Sequence, residues 1–125
     1  MTMSKKETIL ERIERAAEEN DWKVTHSECY RNPSDLDVEF ETYTSTGQDF
    51  IVSATLRANN PSTLIEDLRS RHDGFDPDYE ASLWIGPDGH WLNGAPYHIK
   101  DIVDDMKEAG EMLGDLLSAM EHEFN

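Results

Sequence analysis

Between Leu36 and Leu56 the chain alternates apolar and polar residues twice, on either side of a glycine-bearing loop. Leu36, Val38, Phe40 and Thr42 share one face of an extended segment, with Asp37, Glu39, Glu41 and Tyr43 on the other. After Thr44 to Gly47, the residues Phe50, Val52, Ala54 and Leu56 repeat the pattern. Successive strand side chains point to opposite faces, so period-two patterning on both sides of such a loop reads as an antiparallel hairpin. One face is apolar and the other wet. The apolar face has to be covered, and helices are the available cover.

The flanking segments supply them. Ser4-Lys5-Lys6-Glu7 has the form of a capping box, and Ile9, Leu10, Ile13, Ala16 and Ala17 follow at helical spacing. This predicts a first helix of about four turns ending near Asn20. Trp22, Val24 and Tyr30 alternate as a further strand, closed by the turn Asn32-Pro33-Ser34-Asp35. Asn60-Pro61 places a polar cap before a proline at the first helical position, and Leu64, Ile65 and Leu68 form the stripe of a helix ended by His72-Asp73-Gly74. Asp76-Pro77-Asp78 opens a short helix through Leu83, Trp84 and Ile85, with a strand over the same stretch as the alternative. From Ile99 to Met120, apolar residues recur at spacings of three and four for about six turns. Gly110 and Gly114 lie inside this last helix although each costs ~1 kcal/mol against alanine; glycines four apart share a face that lets another backbone come close, the alternative being that they are simply tolerated in a long, otherwise well-packed helix.

The expected fold is therefore a single α+β domain over residues 1–125. A three-stranded antiparallel sheet has one face covered by an N-terminal helix, a middle helix and a long C-terminal helix, with 1–6 and 122–125 loose. A chain of 125 residues supports one such core. No apolar run reaches the ~20 residues of a membrane span and no secretory h-region follows the start, so a cytoplasmic protein without membrane contact is expected. A lone Cys29 admits no internal disulfide, no redox pair and no thiolate metal site, and is expected to be a structural or free thiol.

Charge narrows the function classes. Eleven basic against 27 acidic residues give −16, beyond the ~2–8 that solubility alone asks of a small domain. No basic stripe is available to track phosphates, so direct nucleic-acid binding is excluded. Residues 1–60 carry 7 basic and 12 acidic side chains, or −5, whereas 61–125 carry 4 and 15, or −11. Within the last helix, Asp101, Asp104, Asp105, Glu108, Glu111 and Asp115 follow the helical period opposite the apolar stripe. They form a rod of negative charge over ~21 Å of helix rise. Like charges four apart cost a few tenths of a kcal/mol per pair, and only Lys100 and Lys107 relieve this helix. A plain solvated face is the competing reading. A second candidate surface is Trp84, Trp91 and Tyr97, set against its use in closing one end of the core.

Chemistry has thinner support. Asp73, Asp76, Asp78 and Glu80 offer oxygens to calcium, but Gly74 falls too early for an EF-hand loop and a helix cap is the plainer use. The histidines His26, His72, His90, His98 and His122 make no HExxH or closely spaced ligand pattern. There is no phosphate loop and no nucleophile elbow, so no catalytic residue, metal or cofactor is assigned. His90 and His98 flank one loop, and a small metal-dependent enzyme using them is the least favoured alternative.

Gly47-Gln48-Asp49-Phe50, then Phe75-Asp76-Pro77, then Gly94-Ala95-Pro96-Tyr97 before an acidic helix resembles small acidic proteins of bacteria and their mobile elements, over roughly residues 36 to 120. That group has no assigned activity, so the resemblance implies no site residues. In charge and size alone the chain is similar to inhibitors that present carboxylates where an enzyme expects phosphates. The function expected is an acidic module that engages a basic protein surface, with nucleic-acid mimicry as its sharper form. A homo-oligomeric module pairing through the C-terminal helix is the alternative.

Overall fold

The structure, a computed structural model, describes residues 7–45, 47–85 and 99–124, with 83–85 and 99–101 as backbone only. Its elements are α1 (Ile9–Glu18), β1 (Lys23–Glu28), β2 (Leu36–Tyr43), β3 (Asp49–Leu56), α2 (Pro61–Asp73), α3 (Pro77–Ile85) and α4 (Ile99–Phe124). The three strands form an antiparallel sheet in the order β1-β2-β3, as the alternation required. β2 and β3 pair from Leu36↔Leu56 to Tyr43↔Asp49, with Gly47 taking the turn at φ +89°. That register sets Val38, Phe40, Val52, Ala54 and Leu56 on one buried face, where they join Ile13, Leu64, Leu68, Leu113 and Leu116 in a single core. Helices thus cover one face of the sheet. Among the described residues, no helix is long and apolar enough to cross a membrane.

Three boundaries differ from the expectation. Helix α1 starts at Ile9, not after Ser4. Thr8 is the cap, accepting from the Glu11 amide at 3.0 Å while its own amide donates to Glu11 Oε1 at 2.8 Å. The sequence holds two such patterns four residues apart, and Glu7 of the first is an ion partner of Arg15 at 3.0 Å. The helix ends at Glu18 because Asp21 turns into the left-handed region (φ 68°) and the Trp22 amide reaches back to the Ala17 carbonyl at 3.0 Å. Strand β1 stops at Glu28, so Tyr30 lies outside it and is 99% exposed. The Cys29 amide bonds the Asp35 carbonyl at 3.0 Å, and Asn32 Oδ1 accepts from the Ser34 hydroxyl at 2.7 Å, so the connecting turn begins there.

Helix α2 opens as expected on Asn60, whose side chain accepts from the Ser62 amide at 3.0 Å. It also guards the outer edge of β3, where Asp67 accepts the Thr55 amide at 2.9 Å and Arg71 donates to the Ser53 carbonyl at 3.3 Å. The stretch from Pro77 is a helix rather than a strand, started by Asp76, which accepts the Asp78 amide at 3.0 Å. It packs on α4 through Ala81 against Ile102, Met106 and Ala109.

The last turn of α4 is fastened to α1. Helix α4 runs to Phe124, Arg12 holds the Glu123 carboxylate at 2.7 Å and its carbonyl at 2.8 Å, and the same guanidinium lies 4.7 Å over the Phe124 ring. Arg15 adds a third bond to Glu123 at 3.0 Å. The Arg12 hydrogen bond, helped by Arg15 and opposed by burial, holds the Glu123 carboxyl below its usual range. A depressed carboxyl pKa stabilises the fold fully above the ordinary glutamate pKa, and that contribution is lost as pH falls through the folded value. Glu123→Gln should therefore be about 1–2 kcal/mol less stable than wild type at neutral pH, allowing for partial exposure. In urea titrations across acid pH, the gap should close below the usual carboxylate range.

The two helix glycines have a structural use. A Cβ on Gly110 would sit 2.9 Å from Phe75 Cε2, and one on Gly114 would sit 3.0 Å from His72 Nε2. The close neighbours are side chains at the end of α2 and just beyond it, not another backbone. The Phe75 ring has little freedom to retreat, since it meets Phe50 edge-on at 5.8 Å. Gly110→Val should lower unfolding free energy by about 1–3 kcal/mol despite leaving a poor helix former behind. Chemical denaturation checks this.

Candidate acidic interface

At about 100° per residue, the expected stripe on α4 separates into two sets of carboxylates. Asp104, Glu111 and Asp115 are exposed. Asp105 is not: at 3% exposure it is part of the interior, where its Oδ2 accepts the Thr44 hydroxyl at 2.8 Å. It lies about 20° from Leu116 on the helical wheel, on the border of the buried arc. Glu108 is half-buried and accepts from Ser45 three times, from the amide at 3.0 and 3.2 Å and from the hydroxyl at 2.6 Å. Asp101 belongs to α4 by its backbone, and its side chain lies outside the described residues. Two of the six acids thus fasten the start of the β2–β3 turn to α4. With Asp105 buried, the six carboxylates expected to meet a partner do not share one exposed face.

What remains exposed is joined by acids from elsewhere in the chain. Beside α4 a surface hollow of about 430 Å³ is rimmed by Glu19, Asp21, Glu108 and Asp115, with Tyr43 and Trp22 in its wall. A second hollow of about 370 Å³ shares Glu19 and Asp115 and extends past Ser118 to His122 and Glu123. Glu19 and Asp21 come from the end of α1 and its left-handed turn, so the fold brings them to α4 across more than eighty residues of sequence. Sequence reasoning did not include them. Their only signal was the acidic end of the first helix.

The uncovered face of the sheet is a second acidic surface that the sequence placed correctly and left unassigned. Register sets Glu41 opposite Lys23 and Ile51, Glu39 opposite Thr25 and Ser53, and Asp37 opposite Ser27 and Thr55. A hydrogen bond to Asp49, together with its like charge, pushes the Glu41 carboxyl up. The contribution of Glu41 to stability is therefore lost as pH rises through the carboxylate range, opposite in sign to Glu123.

The remaining candidates carry less. Trp84 lies in α3 by its backbone alone, and Trp91, Tyr97, His90 and His98 lie outside the described residues. No group of three or more potential metal ligands occurs among the described residues. Cys29 donates to Asp37 Oδ1 at 3.3 Å, and partial burial followed by that carboxylate pushes its thiol pKa up, which suits an inert thiol. The apolar stripe of α4 is covered within the chain: Ile102, Met106, Leu113, Leu116 and Met120 are all at or below 2% exposure. No protein-family model matches the chain, and comparison with curated proteins and with solved structures finds no match.

Proposed function

We propose that this chain is an acidic binding module that engages a basic protein surface through the carboxylates around the α1–α4 hollow. The observation that supports this most is the gathering of Glu19, Asp21, Glu108 and Asp115 at one hollow, from the end of α1 and from α4. Carboxylates that repel one another destabilise the free protein by a few tenths of a kcal/mol per close pair, and a cationic partner relieves that cost. Duplex mimicry fits less well. Double-stranded DNA presents a charge every ~1.7 Å of its axis. The exposed acids Asp104, Glu111 and Asp115 are spread over ~16 Å of helix rise.

Pull-down from lysate at low and high salt tests the reading. Wild type should retain a basic partner at low salt and release it at high salt. The triple variant Glu19→Lys, Asp21→Lys, Asp115→Lys, all exposed residues of that hollow, should retain at least tenfold less, whereas reversing Glu66, Asp73 and Asp78, exposed residues on α2 and α3, should leave retention near wild type. Equal losses in both triples would reduce the effect to net charge and overturn the assignment of this surface.

A further inference from the structure

We infer that the outer edge of β1 takes an extended segment of a partner protein as a fourth, antiparallel strand, one with lysine or arginine at alternate positions and apolar residues between them. The two edges of the sheet differ in how their backbone is satisfied. On β3, the Thr55 amide donates to Asp67 at 2.9 Å, the Thr55 carbonyl accepts from Thr63 Oγ1 at 3.3 Å, and the Ser53 carbonyl accepts from Arg71 at 3.3 Å. Ser53 and Thr55 therefore turn their backbone groups away from β2. Antiparallel partners alternate between bonded and non-bonded pairs. Asp37 and Glu39, opposite Thr55 and Ser53, must then bond to Ser27 and Thr25 of β1. That parity leaves Val24, His26 and Glu28 facing outward. Just before them, the Trp22 amide is taken by the Ala17 carbonyl at the end of α1, at 3.0 Å. Among the described residues no hydrogen bond reaches the amides and carbonyls of Val24, His26 and Glu28, so six backbone groups stand in a row. Such a row is a template for a further strand.

The two faces beside this edge select the occupant. Thr25 and Ser27 are small and exposed on the uncovered face, where a hollow of about 220 Å³ lies between them and Asp37, Glu39 and Ser53 of the next strands. With strands ~4.8 Å apart, those carboxylates lie ~10 Å from an added strand, within the span of a long cationic side chain laid over threonine or serine. Among the described residues Asp37 accepts only from neutral donors, Cys29 Sγ and Thr55 Oγ1, both at 3.3 Å. On the other face Val24 is half-buried against the core, whereas His26 is exposed although its partner Val38 is buried. The helix layer stops short of this edge, and apolar side chains on an added strand would cover Val24. A second copy fits poorly, since it brings another −16 to the same edge. This surface shares no residue with the α1–α4 hollow, so either can fail without the other.

The test compares three short peptides of alternating valine and lysine with equal charge: unmodified, N-methylated at the valines, and N-methylated at the lysines. In antiparallel addition the valines lie opposite Val24, His26 and Glu28 and donate their amides to β1, while the lysine amides face solvent. Titration calorimetry at low salt should find the valine-methylated peptide about tenfold or more weaker than the lysine-methylated one. With the unmodified peptide bound, the Val24, His26 and Glu28 amides should exchange more slowly with deuterium. His26→Pro removes an outward donor and leaves the bonds to β2 in place, so it should keep the fold by circular dichroism and bind the unmodified peptide about threefold or more weakly. Equal affinities of the two methylated peptides would reduce binding to charge and overturn the added strand, and failure of the unmodified peptide to bind would overturn it as well.

Discussion

Trp22→Ala should remove about 3–5 kcal/mol of unfolding free energy, the range for deleting a large buried aromatic. Trp22 is 2% exposed and sits where α1 hands over to β1. Its ring meets Phe50 edge-on at 6.1 Å, Phe50 meets Phe75 at 5.8 Å, and Phe75 lies under Gly110 of α4. One line of rings thus joins the start of the sheet to the last helix, so the cavity cannot close by moving one element alone. Against a typical total of 5–15 kcal/mol, the variant would be marginal at room temperature. The same residue forms part of the wall of the acidic hollow. Urea denaturation should show a lower midpoint, and a loss under about 1 kcal/mol would mean that the ring is not packed as described.

How far the sequence was legible follows from which signals are local. Period-two alternation from Leu36 to Leu56 set the hairpin, its register and its buried face, because strand periodicity and burial are one fact. Asn60-Pro61 and Asp76-Pro77 marked helix starts for a local reason, since each cap satisfies amides two or three residues on. Ambiguity arose where local patterns repeat. Ser4-x-x-Glu7 and Thr8-x-x-Glu11 satisfy the same rule, and Tyr30 continued an alternation that a turn had already ended. Gly110 and Gly114 announced a close approach but not its partner, because Phe75 and His72 reach them through tertiary packing.

The acidic helix face was the least legible part. Spacing alone put Asp105 with its acidic neighbours, although it borders the buried arc of the helix, and the Thr44 hydroxyl that it accepts there comes from sixty-one residues away. The same is true of Glu19 and Asp21, which no helical wheel of α4 contains. Composition showed how much negative charge there is. Where that charge meets solvent depends on long-range contacts.

The carboxylates of α4 do two different jobs, and charge-matched double variants separate them. Asp105→Ala/Glu108→Ala and Asp104→Ala/Glu111→Ala each remove two negative charges and add two alanines to the same helix, so net charge and helix propensity cancel. Equilibrium urea unfolding at neutral pH should show the first double losing about 2–4 kcal/mol, because a buried charge-assisted bond and the Ser45 contacts are gone. The second should stay within about 0.5 kcal/mol of wild type or gain slightly as repulsion is relieved. Equal losses in the two doubles would contradict the division of these residues between holding the turn and facing solvent.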